Sequence, residues 1–100
     1  MIREILLEGK ENAIPGRDLM ALLGLKDLRD LTQLVERERK DGVPICASTS
    51  GEKGYYLASD VDELNEYIKS LGRRIHSVSR TMIHLEDTLN RMTGQEKMGG

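Results

Sequence analysis

The sequence predicts an α+β fold, mostly helical, in which three short helices and a β-hairpin precede one long C-terminal helix. Three observations lead to it. Apolar residues recur at helical spacing as far as Lys40, the period changes to two between Val43 and Ala58, and ten apolar residues from Val61 to Met92 then repeat at alternating steps of three and four. A chain of 100 residues leaves room for one domain with one appended element.

Composition narrows the function. Fourteen leucines, no Trp, no Phe and three Tyr make any core aliphatic, which excludes a large enzyme with a deep aromatic pocket. No apolar run approaches the ~20 residues that span a bilayer. Fifteen basic against seventeen acidic residues give a net charge of −2, unlike a strongly cationic nucleic-acid coat protein. A DNA binder of this composition has to sort its positive charge onto one face. Cys46 stands alone, so no internal disulfide forms, and it is expected as a small apolar residue in a reduced, cytoplasmic setting. The opening Met1-Ile2-Arg3-Glu4 carries no signal-peptide pattern.

Residues 1–8 read as a short helix, with Ile2, Ile5 and Leu6 on one face and Gly9 ending it in the left-handed conformation. Lys10-Glu11-Asn12 reads as a polar loop. Ala13-Ile14-Pro15 is a brief extended piece, because the residue before proline is pushed out of the α region. A second helix runs from Gly16 to Leu23 and stops at Gly24. A third starts near Asp27, its N-cap, and runs to about Lys40, where Asp41-Gly42 ends it. Val43, Ile45 and Ala47 alternate with Pro44, Cys46 and Ser48 as a strand. A loop of turn formers, residues 48–54, leads into a second strand, Tyr55 to Ala58. Ser59-Asp60 caps the long helix, with Glu63 at capping-box spacing. The helix is expected to run to about Thr93, with Gly94 as its stop and residues 94–100 as a disordered tail.

The order helix, short strand, helix, turn, helix, strand, loop, strand is that of a winged helix-turn-helix domain. Ile14 to Leu25 resembles the first helix and turn of that motif, and Leu28 to Gly42 resembles its recognition helix. Gly42-Val43-Pro44-Ile45 and Gly54-Tyr55-Tyr56-Leu57 resemble the wing of the biotin repressor's N-terminal domain and of related bacterial and phage regulators. The resemblance covers roughly residues 1–59 and implies a fold that binds double-stranded DNA. It leaves residues 60–93 as a separate dimerisation helix.

A helical wheel of the third helix puts Leu28, Leu31, Leu34 and Val35 on the core face. The opposite face carries Lys26, Arg29, Gln33, Glu36, Arg37 and Lys40, four bases and one acid. Lysine and arginine neutralise phosphates, while Arg and Gln make bidentate contacts to base edges in the major groove. Lys53 adds a cation on the wing. Ordinary solvated charges would look similar taken alone. Glu38 falls on the leucine side, which predicts that the helix leaves the core near its C-terminus. The expected buried set is Leu22, Leu31, Val35, Ile45 and Leu57.

The long helix carries the clearest pattern. Val61, Ile68, Ile75, Met82 and Leu89 occupy position a of five heptads, and Leu64, Leu71, Val78, Leu85 and Met92 occupy position d. Such a helix of about 33 residues is about 50 Å long, more than a domain of this size spans, so its apolar stripe calls for a partner, most simply a second copy. The other reading is a break at Gly72 and a fold back over the domain. Small e and g residues keep a higher oligomer open. A dimer on a long C-terminal helix is also similar in architecture to the replication terminator protein and the phenolic-acid regulators. Between Lys69 and Leu85 lie Lys69, Arg73, Arg74, Arg80, His76 and His84 and no acid. That run reads first as a solvated coiled-coil exterior and second as a phosphate-facing patch.

No catalytic constellation, zinc spacing, phosphate loop or nucleophile elbow stands in the chain, so neither enzyme activity nor a cofactor is expected. Two readings remain. One is a homodimeric, sequence-specific double-stranded DNA-binding protein, a small bacterial or phage-type transcriptional regulator. The other is a winged-helix module that binds protein and assembles through the coiled coil.

Overall fold

Local sequence signals set most of the element boundaries. The computed structural model describes residues 2–48 and 54–98. After 3-10 turns at Ile2–Glu4 and Lys10–Asn12 come helix α1 (Gly16–Leu23), helix α2 (Leu28–Lys40), strands β1 (Ile45–Ser48) and β2 (Gly54–Leu57), and helix α3 (Val61–Met98). The fold is therefore α+β and mostly helical, with a two-stranded antiparallel sheet and a long C-terminal helix. The chain divides into two compact units, Met1–Tyr67 and Ile68–Gly100, so the first turns of α3 belong to the first unit and the remainder forms the second.

Gly24 closes α1 in the left-handed region at φ 68°, where a side chain would be strained, and Leu25 N–H returns to the Met20 carbonyl at 2.9 Å. The Asp27 carboxylate accepts from Asp30 N–H at 2.9 Å and so starts α2. At α3 the Asp60 carboxylate accepts from Glu63 N–H at 2.8 Å, while Glu63 reaches back to Ser59 N–H, also at 2.8 Å.

Ile2, Leu6, Leu19, Leu31, Val35 and Ile45 form the buried core of the first unit. The hairpin pairs Ile45 with Leu57, Cys46 with Tyr56 and Ala47 with Tyr55. Because successive strand residues face opposite sides, Ile45, Tyr55 and Leu57 turn to this core while Cys46 and Tyr56 share the other face. On its far edge β2 meets the chain again. Ile14 and Tyr55 exchange two backbone hydrogen bonds of 2.9 Å. That approach depends on Gly54, where a Cβ would stand 2.6 Å from the Ile14 carbonyl carbon.

Several expectations are corrected. Residues 1–8 do not form one helix, since only the turn Ile2–Glu4 closes, and Lys10–Asn12 is a 3-10 turn rather than an irregular loop. Leu22 is 64% exposed. On α1 it lies about 60° from Leu19 and about 100° from Leu23, away from the direction in which those two face the core. Leu28 is 60% exposed because it is the first residue of α2 and sits at the edge of the apolar sector. Leu57 is only partly buried, whereas Leu31, Val35 and Ile45 are buried as expected. Glu38 does not leave the core. It is 1% exposed, and α2 stays packed through its last turn. Helix α3 neither breaks at Gly72 nor stops at Gly94 but continues to Met98. One glycine costs only ~1 kcal/mol in a helix, too little to end a strongly periodic one.

Candidate nucleic-acid interface

Helix α2 separates its residues into two faces. Leu31, Val35 and Glu38 are buried. Arg29, Gln33, Arg37 and Lys40 lie within about 80° of one another on the opposite side and are all exposed, as is Lys26 in the turn before the helix. None of Lys26, Arg29, Arg37 and Lys40 makes an ion pair among the described residues. Lys53 lies outside the described residues.

The acid on this face is engaged elsewhere. The Glu36 carboxylate accepts from Arg39 at 3.1 Å, which draws its charge toward the flank of the helix and away from Arg37 and Lys40. Asp30 and Asp27 stand at the helix start, where negative charge suits the exposed N–H groups.

What holds α2 in place was not evident from its wheel. Arg39 donates Nε–H to the Ile45 carbonyl at 2.9 Å and a terminal N–H to the Tyr67 hydroxyl at 2.9 Å, with its guanidinium carbon 5.5 Å from the Tyr67 ring centre. One side chain thus ties the end of α2 to β1 and to the first turns of α3. Glu38 accepts from Ile2 N–H at 2.8 Å, Arg3 N–H at 3.2 Å and Arg3 Nε–H at 3.1 Å. Arg3 also lies 3.9 Å from Asp41. The only sequence signal for Glu38 was its position on the leucine side of the wheel.

The hairpin's other face is chemically quiet. Burial pushes the Cys46 thiol up and the Tyr56 hydroxyl up to about 12, with the nearby Glu63 charge acting the same way on both. Such a thiol is a poor nucleophile. No group of three or more His, Cys, Asp or Glu among the described residues could hold a metal ion.

Along α3 the a and d residues Ile68, Ile75, Val78, Met82, Leu85, Leu89 and Met92 are each more than half exposed. Val61 is also exposed, at 82%, whereas Leu64 and Leu71 are partly buried. No described helix is long and apolar enough to cross a membrane. No protein-family model, curated protein or solved structure matches this chain.

Proposed function

We propose that this chain is a dimeric, sequence-specific double-stranded DNA-binding protein of winged-helix type, a small transcriptional regulator of the bacterial or phage kind. The observation that carries the proposal is the two-sidedness of α2. One side is buried through Leu31, Val35 and Glu38, and the other offers Lys26, Arg29, Gln33, Arg37 and Lys40, whose cations make no ion pair among the described residues. The chain is acidic overall, so a cationic surface here arises from sorting rather than from composition.

The edge bridge at Ile14 supports the same reading, because it adds a third short extended segment beside the hairpin, between the first turns and α1, where a winged helix has its first strand. The exposed heptad residues of α3 support a second copy as partner. A contiguous apolar line of this length is uncommon on a monomer.

Selection from random duplexes, followed by titration of binding against salt, tests the proposal. A DNA-binding protein enriches a site and loses affinity steeply as salt rises. Absence of both, with a dimer still present, turns the reading to a protein-binding winged-helix module.

A further inference from the structure

We propose that the polar side of α3 between Lys69 and His84 is a second surface for the phosphate backbone of duplex DNA. The inference rests on the DNA-binding reading but concerns a different helix. Helix α3 is continuous through Gly72, so its residues keep one helical register over this stretch. Lys69, Arg73, His76, Arg80 and His84 follow one another at steps of four, three, four and four. At 3.6 residues per turn they fall within a sector of about 80°, on the side opposite Leu71, Ile75, Val78, Met82 and Leu85.

All five polar residues are exposed, and Lys69, Arg73 and Arg80 make no ion pair among the described residues. The nearest acids on this sector, Glu66 and Asp87, stand one turn before Lys69 and one turn after His84. Between them the stripe runs about 22 Å at 1.5 Å per residue. Duplex DNA offers one phosphate charge per ~1.7 Å of its axis, so a stripe of this length has several phosphates in reach. The histidines add hydrogen-bonding groups without adding negative charge.

A basic amphipathic helix can also lie on an anionic membrane. Two features favour DNA. The apolar line of α3 is the narrow a and d seam of a coiled coil rather than a broad lipid-facing side, with Ile83 the one described apolar residue bordering the basic stripe. The chain also has no Trp or Phe to anchor at a lipid interface. When the seam is covered by a second copy, the stripe points outward.

The test is fluorescence anisotropy of a labelled bulk duplex with the full chain and its Lys69→Gln, Arg73→Gln, Arg80→Gln triple variant. Glutamine matches Lys and Arg in helix propensity, and sedimentation together with tyrosine fluorescence verifies that assembly and fold are kept. At about 0.9 per phosphate, the triple variant lowers the slope of log affinity against log salt by about 2.7. The Lys69→Gln single variant, the milder case, lowers it by about 0.9. The preferred site stays the same, since backbone contacts carry no sequence information. An unchanged slope in the triple variant, while Arg37→Ala still lowers it, overturns this surface and leaves the α2 reading standing. No binding by the unmodified chain at low salt overturns both. Binding of the chain to phosphatidylserine vesicles that the triple variant loses, with its DNA slope unchanged, assigns the stripe to membranes and overturns the proposal.

Discussion

The carboxylate of Glu38, in the last turns of α2, holds the backbone N–H of Ile2 at 2.8 Å across 36 residues of sequence. Both Glu38 and Ile2 are essentially excluded from solvent. The acid is tolerated there because Arg3 N–H and the Arg3 guanidinium complete its shell. A side chain that a wheel places among leucines thereby fastens the start of the chain to the end of the helix proposed to read DNA.

Glu38→Gln is expected to destabilise the first unit by about 1–3 kcal/mol, because one acceptor becomes an amide that must face a buried donor. Glu38→Leu is expected to cost more, since it leaves every one of those donors without its partner. All three tyrosines, Tyr55, Tyr56 and Tyr67, lie in the first unit, so a thermal melt followed by tyrosine fluorescence reports on that unit by itself. A Gln variant that melts with the unmodified protein would remove the structural role given to Glu38.

Leu31→Ala and Leu22→Ala separate buried from exposed leucines on neighbouring helices. Leu31 is fully buried, and its truncation is expected to cost about 2–5 kcal/mol. Leu22 is exposed, and its truncation is expected to fall within about 0.5 kcal/mol of neutral. Urea midpoints at constant slope measure both. Equal losses would mean that α1 faces the core differently.

Glu63 links pH to stability. Its carboxyl is held below the ordinary carboxylate range, first by the Ser59 backbone N–H, with Lys10 N–H and the Ser59 hydroxyl adding to it against a smaller opposing effect of burial. The folded state therefore binds this proton less readily than the unfolded state. The resulting stability is complete above the ordinary value of 4.5 and is lost as pH falls through the lower folded value. Glu63→Gln is expected to be less stable than the unmodified chain at neutral pH and to converge with it under acid. Melting both proteins from neutral pH to about pH 3 checks this, and a gap that widens on acidification contradicts it.

The caps, the hairpin and the long helix were legible because their signals are local. Asp27, Gly24, Asp60 and Glu63 each act within four residues of the helix end they fix. Sorting of charge on α2 was legible too, since a wheel needs only periodicity. The contacts of Glu38 with Ile2 and of Arg39 with Tyr67 were not, because they join residues 36 and 28 positions apart through side-chain geometry that periodicity does not encode. Leu22 and Leu28 misled for another reason. Each lies at the edge of its helix's apolar sector, and a wheel ranks directions around a helix without saying how wide a sector the neighbouring elements cover.

Ile75→Asp with Val78→Asp tests self-association. Both residues are exposed in the single chain, so the change costs its fold little, whereas in a coiled-coil seam it buries unpaired charge at adjacent a and d positions. The unmodified chain is expected to sediment as a dimer or larger and the double variant as a monomer with an unchanged tyrosine melt. An unmodified chain that sediments as a monomer at high micromolar concentration would end the coiled-coil reading.

DNA contact through α2 makes the last and most specific prediction. Arg29 and Gln33 lie in the N-terminal half of the helix, where a recognition helix meets base edges, and Arg37 and Lys40 lie further along. Arg29→Ala is expected to relax sequence preference at a cost of about 1–3 kcal/mol for the lost bidentate contact. Arg37→Ala is expected to weaken all sequences alike and to lower the salt slope by about one unit. Glu36 gives a control of opposite sign. Its carboxylate is held at the flank of that face by Arg39 at 3.1 Å, so Glu36→Gln removes a negative charge from the edge of the face and releases the Arg39 charge from its ion pair. It is expected to raise affinity for every duplex while leaving the preferred site unchanged. Anisotropy with a selected site and with bulk duplex, each across a salt series, reads all three variants. If Arg29→Ala shifts affinity for the selected site and for bulk duplex equally, Arg29 touches phosphate rather than a base. If Glu36→Gln weakens binding, the face of α2 that meets DNA is not the one carrying Arg37 and Lys40.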